Sequence, residues 1–219
     1  RTTEQATLYG NEFTFNNSIV ELNIYDAENY KFNFDSNTFT INGGTHSNSY
    51  VSMPNVTSTN NTVNILGAPN LSDAYIYSNY FGDAGTTSGN NLNIYSSGLT
   101  AKNIYGFENL NFYLPESSKS GDTILTLTDG TTNIENNNVM AYISGGSTLA
   151  TGDYVNLISN SNGLSGSLNS SGVKFAEGVS LIYDANITND GNNLVMTLGN
   201  AVVNEDSKAV AQSVDGAND

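Results

Sequence analysis

The six residues GNNLNI, Gly89–Ile94, decide how this chain is read, because the pattern recurs. SNTFTI (Ser36–Ile41) and NNTVNI (Asn60–Ile65) align with it without a gap. Phe39 to Val63 is 24 positions, and Val63 to Leu92 is 29. The tetrapeptide LNIY stands at Leu22–Tyr25 and again at Leu92–Tyr95. Each copy alternates polar with apolar residues, the period of a strand with one buried face. Phe39, Ile41, Val63, Ile65, Leu92 and Ile94 are therefore expected to point inward. Asn91, Asn93 and Tyr95 are expected to point outward or into corners. A looser copy sets Asn48–Ser52 against Asp73–Tyr77.

A unit of about 25 residues with two or three short strands cannot bury an apolar face alone. It must stack on copies of itself. The expected fold is all-β: a right-handed parallel β-helix, or solenoid, in which each coil adds one strand to each of two or three long sheets. An antiparallel sandwich is the competing architecture. The irregular spacing favours coils, whose loops can vary in length. Asn suits their tight corners, since it tolerates the left-handed region and can ladder with Asn in the next coil.

Composition agrees with this reading. The chain has 219 residues, enough for one sizeable domain. Charged residues are 12%, about half the usual share, and Asn is roughly one residue in six. Helices are disfavoured by so much Asn and Gly. The net charge of −15 repels nucleic-acid backbone and anionic membrane surfaces alike. There is no cysteine, so no disulfide contributes to stability. The chain opens at Arg1 without an initiator Met, so a piece of a longer, processed protein is expected.

The C-terminal third changes character. GDYVNLISNSNG (Gly152–Gly163) and VSLIYDANITNDGNNLVMTLG (Val179–Gly199) read as antiparallel hairpins, the second around the turn Asn189–Asn192. A solenoid has an apolar end and open edges that need a cap. Val179, Leu181, Tyr183, Leu194, Met196 and Leu198 have the alternation to supply one. The organisation expected is coils over 1–150, capping hairpins over 151–199 and a linker over 200–219, with a possible helix from Glu205 to Val214.

The stretch AYIYSNYFGDAGTTSGNNLNIYSSGLTAKNIYGFENLNFYLP (Ala74–Pro115) resembles the repeats of Gram-negative autotransporter passengers. GDTILTLTDG (Gly121–Gly130) and the hairpins after it are similar to the autochaperone region that ends such passengers. NEDSKAVAQS (Asn204–Ser213) is similar to the linker before their outer-membrane barrel. The resemblance covers most of Thr38 to Ser213; the first 35 residues match only in style. It implies a type V secretion product displayed outside a Gram-negative cell and anchored at its outer membrane. Its role there would be adhesion or virulence. Its partners would be a host-cell or bacterial surface protein or glycan, the chain being covalently continuous with the barrel and monomeric, with self-association open to it.

The residues for chemistry are sparse. His46 is the only histidine, and its sequence neighbours GGTHSNSY suggest a solvated loop. One His without Cys makes no zinc site. Arg1 is the only arginine, and Lys31, Lys102, Lys119, Lys174 and Lys208 are scattered. Asp26, Glu28 and Asp122 form no recognisable pair of catalytic acids, although polysaccharide-cleaving β-helices use such groups. No catalytic residue, metal ligand or cofactor is therefore expected, and the function expected is that of a non-enzymatic scaffold or adhesin. A polysaccharide-degrading enzyme and a self-associating module are the alternatives. The four aromatics of YIYSNYF (Tyr75, Tyr77, Tyr80 and Phe81) are the candidate partner-binding group. Stacking along the coil, with Tyr50, is their competing use.

Overall fold

The structure is a computed structural model that describes residues 5–16, 31–47, 57–78 and 86–203. Every regular element there is a strand, and all but the last two lie in parallel coils. The first sheet holds β1 (Gln5–Tyr9), β3 (Lys31–Asp35), β6 (Thr57–Thr59) and β9 (Thr87–Ser88). The second holds seven strands: β2 (Glu12–Phe15), β4 (Thr38–Asn42), β7 (Thr62–Leu66), β10 (Asn91–Ile94), β12 (Asn109–Leu114), β15 (Asn138–Ile143) and β18 (Ser170–Phe175). The third holds β5 (Thr45–Ser47), β8 (Asn70–Tyr77), β11 (Leu99–Tyr105), β13 (Thr123–Leu127) and β16 (Tyr154–Asn160). It closes with β20 (Asn193–Val203) and β19 (Leu181–Asn189). β14 (Thr132–Asn133) and β17 (Leu164–Ser165) make a short fourth pair.

The gap-free alignment of the repeats is the register of the second sheet. Phe39 pairs with Val63, Val63 with Leu92 and Leu92 with Leu110, all in parallel. Parallel stacking places like residues over like, so the inward column is apolar from β2 to β15, and it ends at Ser171 in β18. Val63, Ile65, Leu92, Ile94, Leu110 and Phe112 are buried in one core. Phe39 is buried too, and Ile41 packs against that core while partly exposed. Phe13 and Phe39 stack at 5.0 Å.

The corners between the first and second sheets follow a two-residue rule. Gly10, Ser36, Asn60 and Gly89 have φ of 66°, 58°, 55° and 68°, and Asn11, Asn37, Asn61 and Asn90 follow them. The left-handed residue turns the chain, and the Asn after it turns inward. Asn37 N and Nδ2 both donate to Asn61 Oδ1, at 2.9 and 3.1 Å. Asn61 does the same to Asn90 Oδ1, at 3.0 and 3.2 Å. The other Nδ2 hydrogen reaches back to a carbonyl: Asn61 to Phe34 O at 3.0 Å and Asn90 to Ser58 O at 2.8 Å. These buried amides are thus satisfied on both sides, as a dry interior requires. A second buried ladder runs where the third sheet ends: Thr132 Oγ1 donates to Asn103 Oδ1 at 2.6 Å, and Asn160 Nδ2 to Thr132 Oγ1 at 2.9 Å.

One turn shows why glycine is needed. Gly166 has φ of +96°, and a Cβ there would lie 2.5 Å from Glu135 N. The backbones of successive coils touch at this point, so any side chain would force them apart.

Four expectations are corrected. The stretch Gly152–Gly163 does not form a hairpin of its own. Its strand β16 lies parallel on β13, and β18 lies parallel on β15. The parallel stack therefore runs on past residue 150. Alternation alone does not encode strand direction; the returning chain does. The true hairpin, β19 with β20, docks antiparallel on β16 through β20. Within it Leu194, Met196 and Leu198 are buried, whereas Leu181 is 46% exposed. The cap is therefore made mainly by β20, while from the outer strand β19 Ile187 is buried and Tyr183 and Ala185 pack against the core. His46 is not in a solvated loop: it lies in β5, 1% exposed, with Nε2 2.7 Å from Gly43 O. The loose alignment of Asn48 with Asp73 slips by one, since Ser47 pairs with Asp73. The expected strand at 19–25, the expected helix at 205–214, and Tyr50, Tyr80, Phe81, Asp26 and Glu28 lie outside the described residues.

Candidate functional site

Of the four aromatics singled out in the sequence, Tyr75 and Tyr77 lie on β8. They stack on each other at 5.4 Å, 10° from parallel, and Tyr77 stacks in turn on Tyr105 of the next coil at 5.0 Å. Tyr77 is buried and Tyr75 half-buried. Lys102 Nζ sits 5.4 Å above the Tyr75 ring, and the Tyr75 hydroxyl donates to the Asp129 carboxylate. Burial, and then the charge of Asp129, raise the Tyr105 phenol above its ordinary value. Along the coil, Tyr75, Tyr77 and Tyr105 stack on one another as a seam.

A second row, which the sequence reading passed over, lies on the outer face of the second sheet. Tyr95 just after β10, Tyr113 in β12 and Tyr142 in β15 stand on one column. Their centroids are 4.3 Å apart at each step, with planes 11° and 4° from parallel. Lys174 of β18 continues the column, its Nζ 5.7 Å over the Tyr142 ring. The signal was present as LNIY, LNFY and VMAY, with Tyr at one fixed place after the inward pair. It was missed because the first two of these tyrosines are 18 residues apart and the next two 29, so that no single period links them. The Tyr113 phenol is pushed up to about 12, by burial first and then by its two ring neighbours. Tyr113 therefore stays protonated at physiological pH.

Beside the row runs an amide column. Asn93 Nδ2 donates to Asn64 Oδ1 at 2.9 Å, and Asn111 Nδ2 to Asn93 Oδ1 at 2.9 Å. A further column links Asn138, Asn109 and Asn91 at 2.9 and 3.0 Å. The outward positions of β4, β7, β10, β12, β15 and β18 carry Thr, Asn, Leu, Tyr, Met, Ser and Gly, with Lys174 as the one charged residue among them. On the same face the first strand, β2, carries the exposed carboxylate of Glu12 in register with Thr38.

The carboxylates are engaged elsewhere, at turns. Asp122 accepts from Lys119 N and Asp153 from Ala150 N, both at 2.8 Å. Glu135 accepts from Ser167 N at 2.5 Å. Asp190 accepts from the backbone of Asn192 and Asn193, and these bonds, with one from the Asn193 side chain, hold it below the ordinary carboxylate value. Asp35 is lowered likewise, by Thr59 first, then Asn60 and Ser36. Among the described residues, no three His, Cys, Asp or Glu side chains gather into a group that could hold a metal ion. No protein-family model, curated protein or solved structure matches this chain.

Proposed function

We propose that this chain is part of a bacterial autotransporter passenger: a non-enzymatic β-solenoid that extends from the cell surface and offers its second sheet to a surface protein or glycan. One observation carries this reading. Among the described residues, many of the polar side chains are occupied in building the coil, as Asn ladders and carboxylate-capped turns. What faces solvent in a regular array is uncharged amide, hydroxyl and phenol, suited to contact and not to proton transfer. The resemblance of Ala74–Pro115 to passenger repeats, and of Asn204–Ser213 to the linker before an outer-membrane barrel, supports placement outside a Gram-negative cell. The C-terminal hairpin, which caps the stack, would then be the first part to fold after export and the template for the coils behind it.

The test has two arms. Labelled chain should bind saturably to cell-surface preparations. The same chain should leave pectin, glycosaminoglycan and chitin uncut. Saturable turnover of any of these polymers would replace the adhesive reading with an enzymatic one.

A further inference from the structure

Where the tyrosine row meets the C-terminal cap, the surface becomes concave. Two adjoining hollows, of about 380 and about 230 Å³, share Ile143, Ser144 and Phe175 in their walls. The larger runs between the Ser144–Leu149 turn and the start of β19, and the smaller opens beside Tyr113, Tyr142 and Lys174. Ser144 Oγ is buried there with no hydrogen-bond partner. A buried hydroxyl without a partner is uncommon in a folded chain and calls for an explanation. The smaller hollow has a mainly apolar lining, whereas the wall of the larger is mixed: Leu149, Leu181 and the Phe175–Tyr183 ring pair, 6.1 Å apart, stand among the hydroxyl groups of Ser147, Ser180 and Tyr183 and exposed backbone. Among the residues lining either hollow, only Lys174 is charged.

From this geometry we infer that the cleft is a binding site for an uncharged polysaccharide, one pyranose ring entering the cleft and the polymer continuing along the tyrosine row. The inference rests on the adhesive reading above. A pyranose has apolar C–H faces and a rim of hydroxyl groups, which match a mainly apolar hollow that opens into a polar one lined by hydroxyls. A sugar hydroxyl would supply the partner that Ser144 Oγ lacks. An apolar peptide side chain would fill the same space and leave that oxygen unsatisfied. An anionic polymer would approach a chain of net charge −15. Beyond the cleft, the column Asn111–Asn93 uses one N–H and one lone pair of each amide in the ladder, which leaves the second of each for a ligand. Rows in adjacent coils are about 4.8 Å apart, so these donors recur regularly along the polymer.

The probe is affinity electrophoresis of the intact chain through gels that contain dextran, laminarin, mannan or hydroxyethyl cellulose. Hyaluronate and polygalacturonate gels are the anionic controls. At least one neutral gel should retard the chain, and the anionic gels should not. Tyr142→Ala and Ser144→Val should each weaken the retardation at least fivefold, whereas Tyr154→Ala, at an exposed ring on the third sheet, should leave it unchanged. Ser144→Val adds a second readout, because removing an unpartnered hydroxyl should hold or raise the melting temperature while retention falls. No retardation on any neutral gel, or retention unaltered in both cleft variants, overturns the inference. So does sedimentation showing that the two variants alter self-association instead, since the cleft would then join two copies of the chain. Cell binding that survives Tyr142→Ala and Ser144→Val removes the cleft and leaves the adhesive reading standing. Absent cell binding with intact gel retention does the reverse.

Discussion

Glu108 accepts a hydrogen bond from the backbone N–H of Asn90 at 2.8 Å, in the place that Asn occupies in the coils before it. Asn91 pairs with Asn109, so Glu108 stands one coil below Asn90 in the corner ladder. The chain takes only 18 residues between those two strands, the shortest step in the second sheet. A longer side chain is needed here to reach the N–H that the next Asn would otherwise have met.

Removing that acceptor should therefore destabilise the middle of the stack. Glu108→Ala leaves the Asn90 N–H without its partner, a loss of about 1–3 kcal/mol. Glu108→Gln keeps a carbonyl at the same reach and should cost less than half as much. Urea titrations of the two variants beside the parent chain give the comparison. Equal midpoints for Ala and Gln would mean that the ladder does not need this bond.

Alkaline pH should loosen the tyrosine row. The Tyr113 phenol is raised from 10.0 to about 12 in the folded chain, so the folded state holds its proton more tightly than the unfolded state does. Its contribution is fully present below pH 10 and is lost as the pH rises toward 12. Absorbance titration should show a tyrosine that ionises well above pH 10. Tyr113→Phe should lessen the fall in stability over that window; an unchanged alkaline unfolding curve would contradict it.

The two strands of the cap should differ sharply. Leu194 is fully buried and Leu181 is 46% exposed. Leu194→Ala should lose about 2–5 kcal/mol, and Leu181→Ala less than about 0.5 kcal/mol. Deleting Val179–Gly199 should slow refolding and lower the denaturation midpoint far more than deleting Arg1–Asn29. Comparable losses for the two deletions would show that the hairpin has no special part in folding.

His46 should matter for stability alone. Its ring is enclosed and its Nε2 meets Gly43 O at 2.7 Å. His46→Ala removes both the packing and that bond and should lose about 1–3 kcal/mol. Cell-surface binding of the refolded variant, measured well below its melting temperature, should match the parent chain. Reduced binding at full foldedness would give this histidine a functional part.

The coil, its inward residues and its register were legible in GNNLNI and its copies, because parallel stacking sets like over like and leaves its period in the chain. The corner Asn residues were legible as turn formers, though not as a continuous ladder, since the partner of each lies a whole coil away. Tyr75 and Tyr77 stood out by local density, and they stack on each other and on Tyr105, as one of the two sequence readings had it. The row Tyr95–Tyr113–Tyr142 left only a Tyr at one place after each inward pair, and its assembly, like the cleft beside Ser144, came with the tertiary structure. Their members come from coils of 18 and 29 residues, and only stacking removes that difference in length. The direction of β16 and the burial of His46 were likewise settled by where the chain returns. Alternation tells which residues share a face of a strand; which neighbour that face and edge will meet depends on loops whose length carries no such signal.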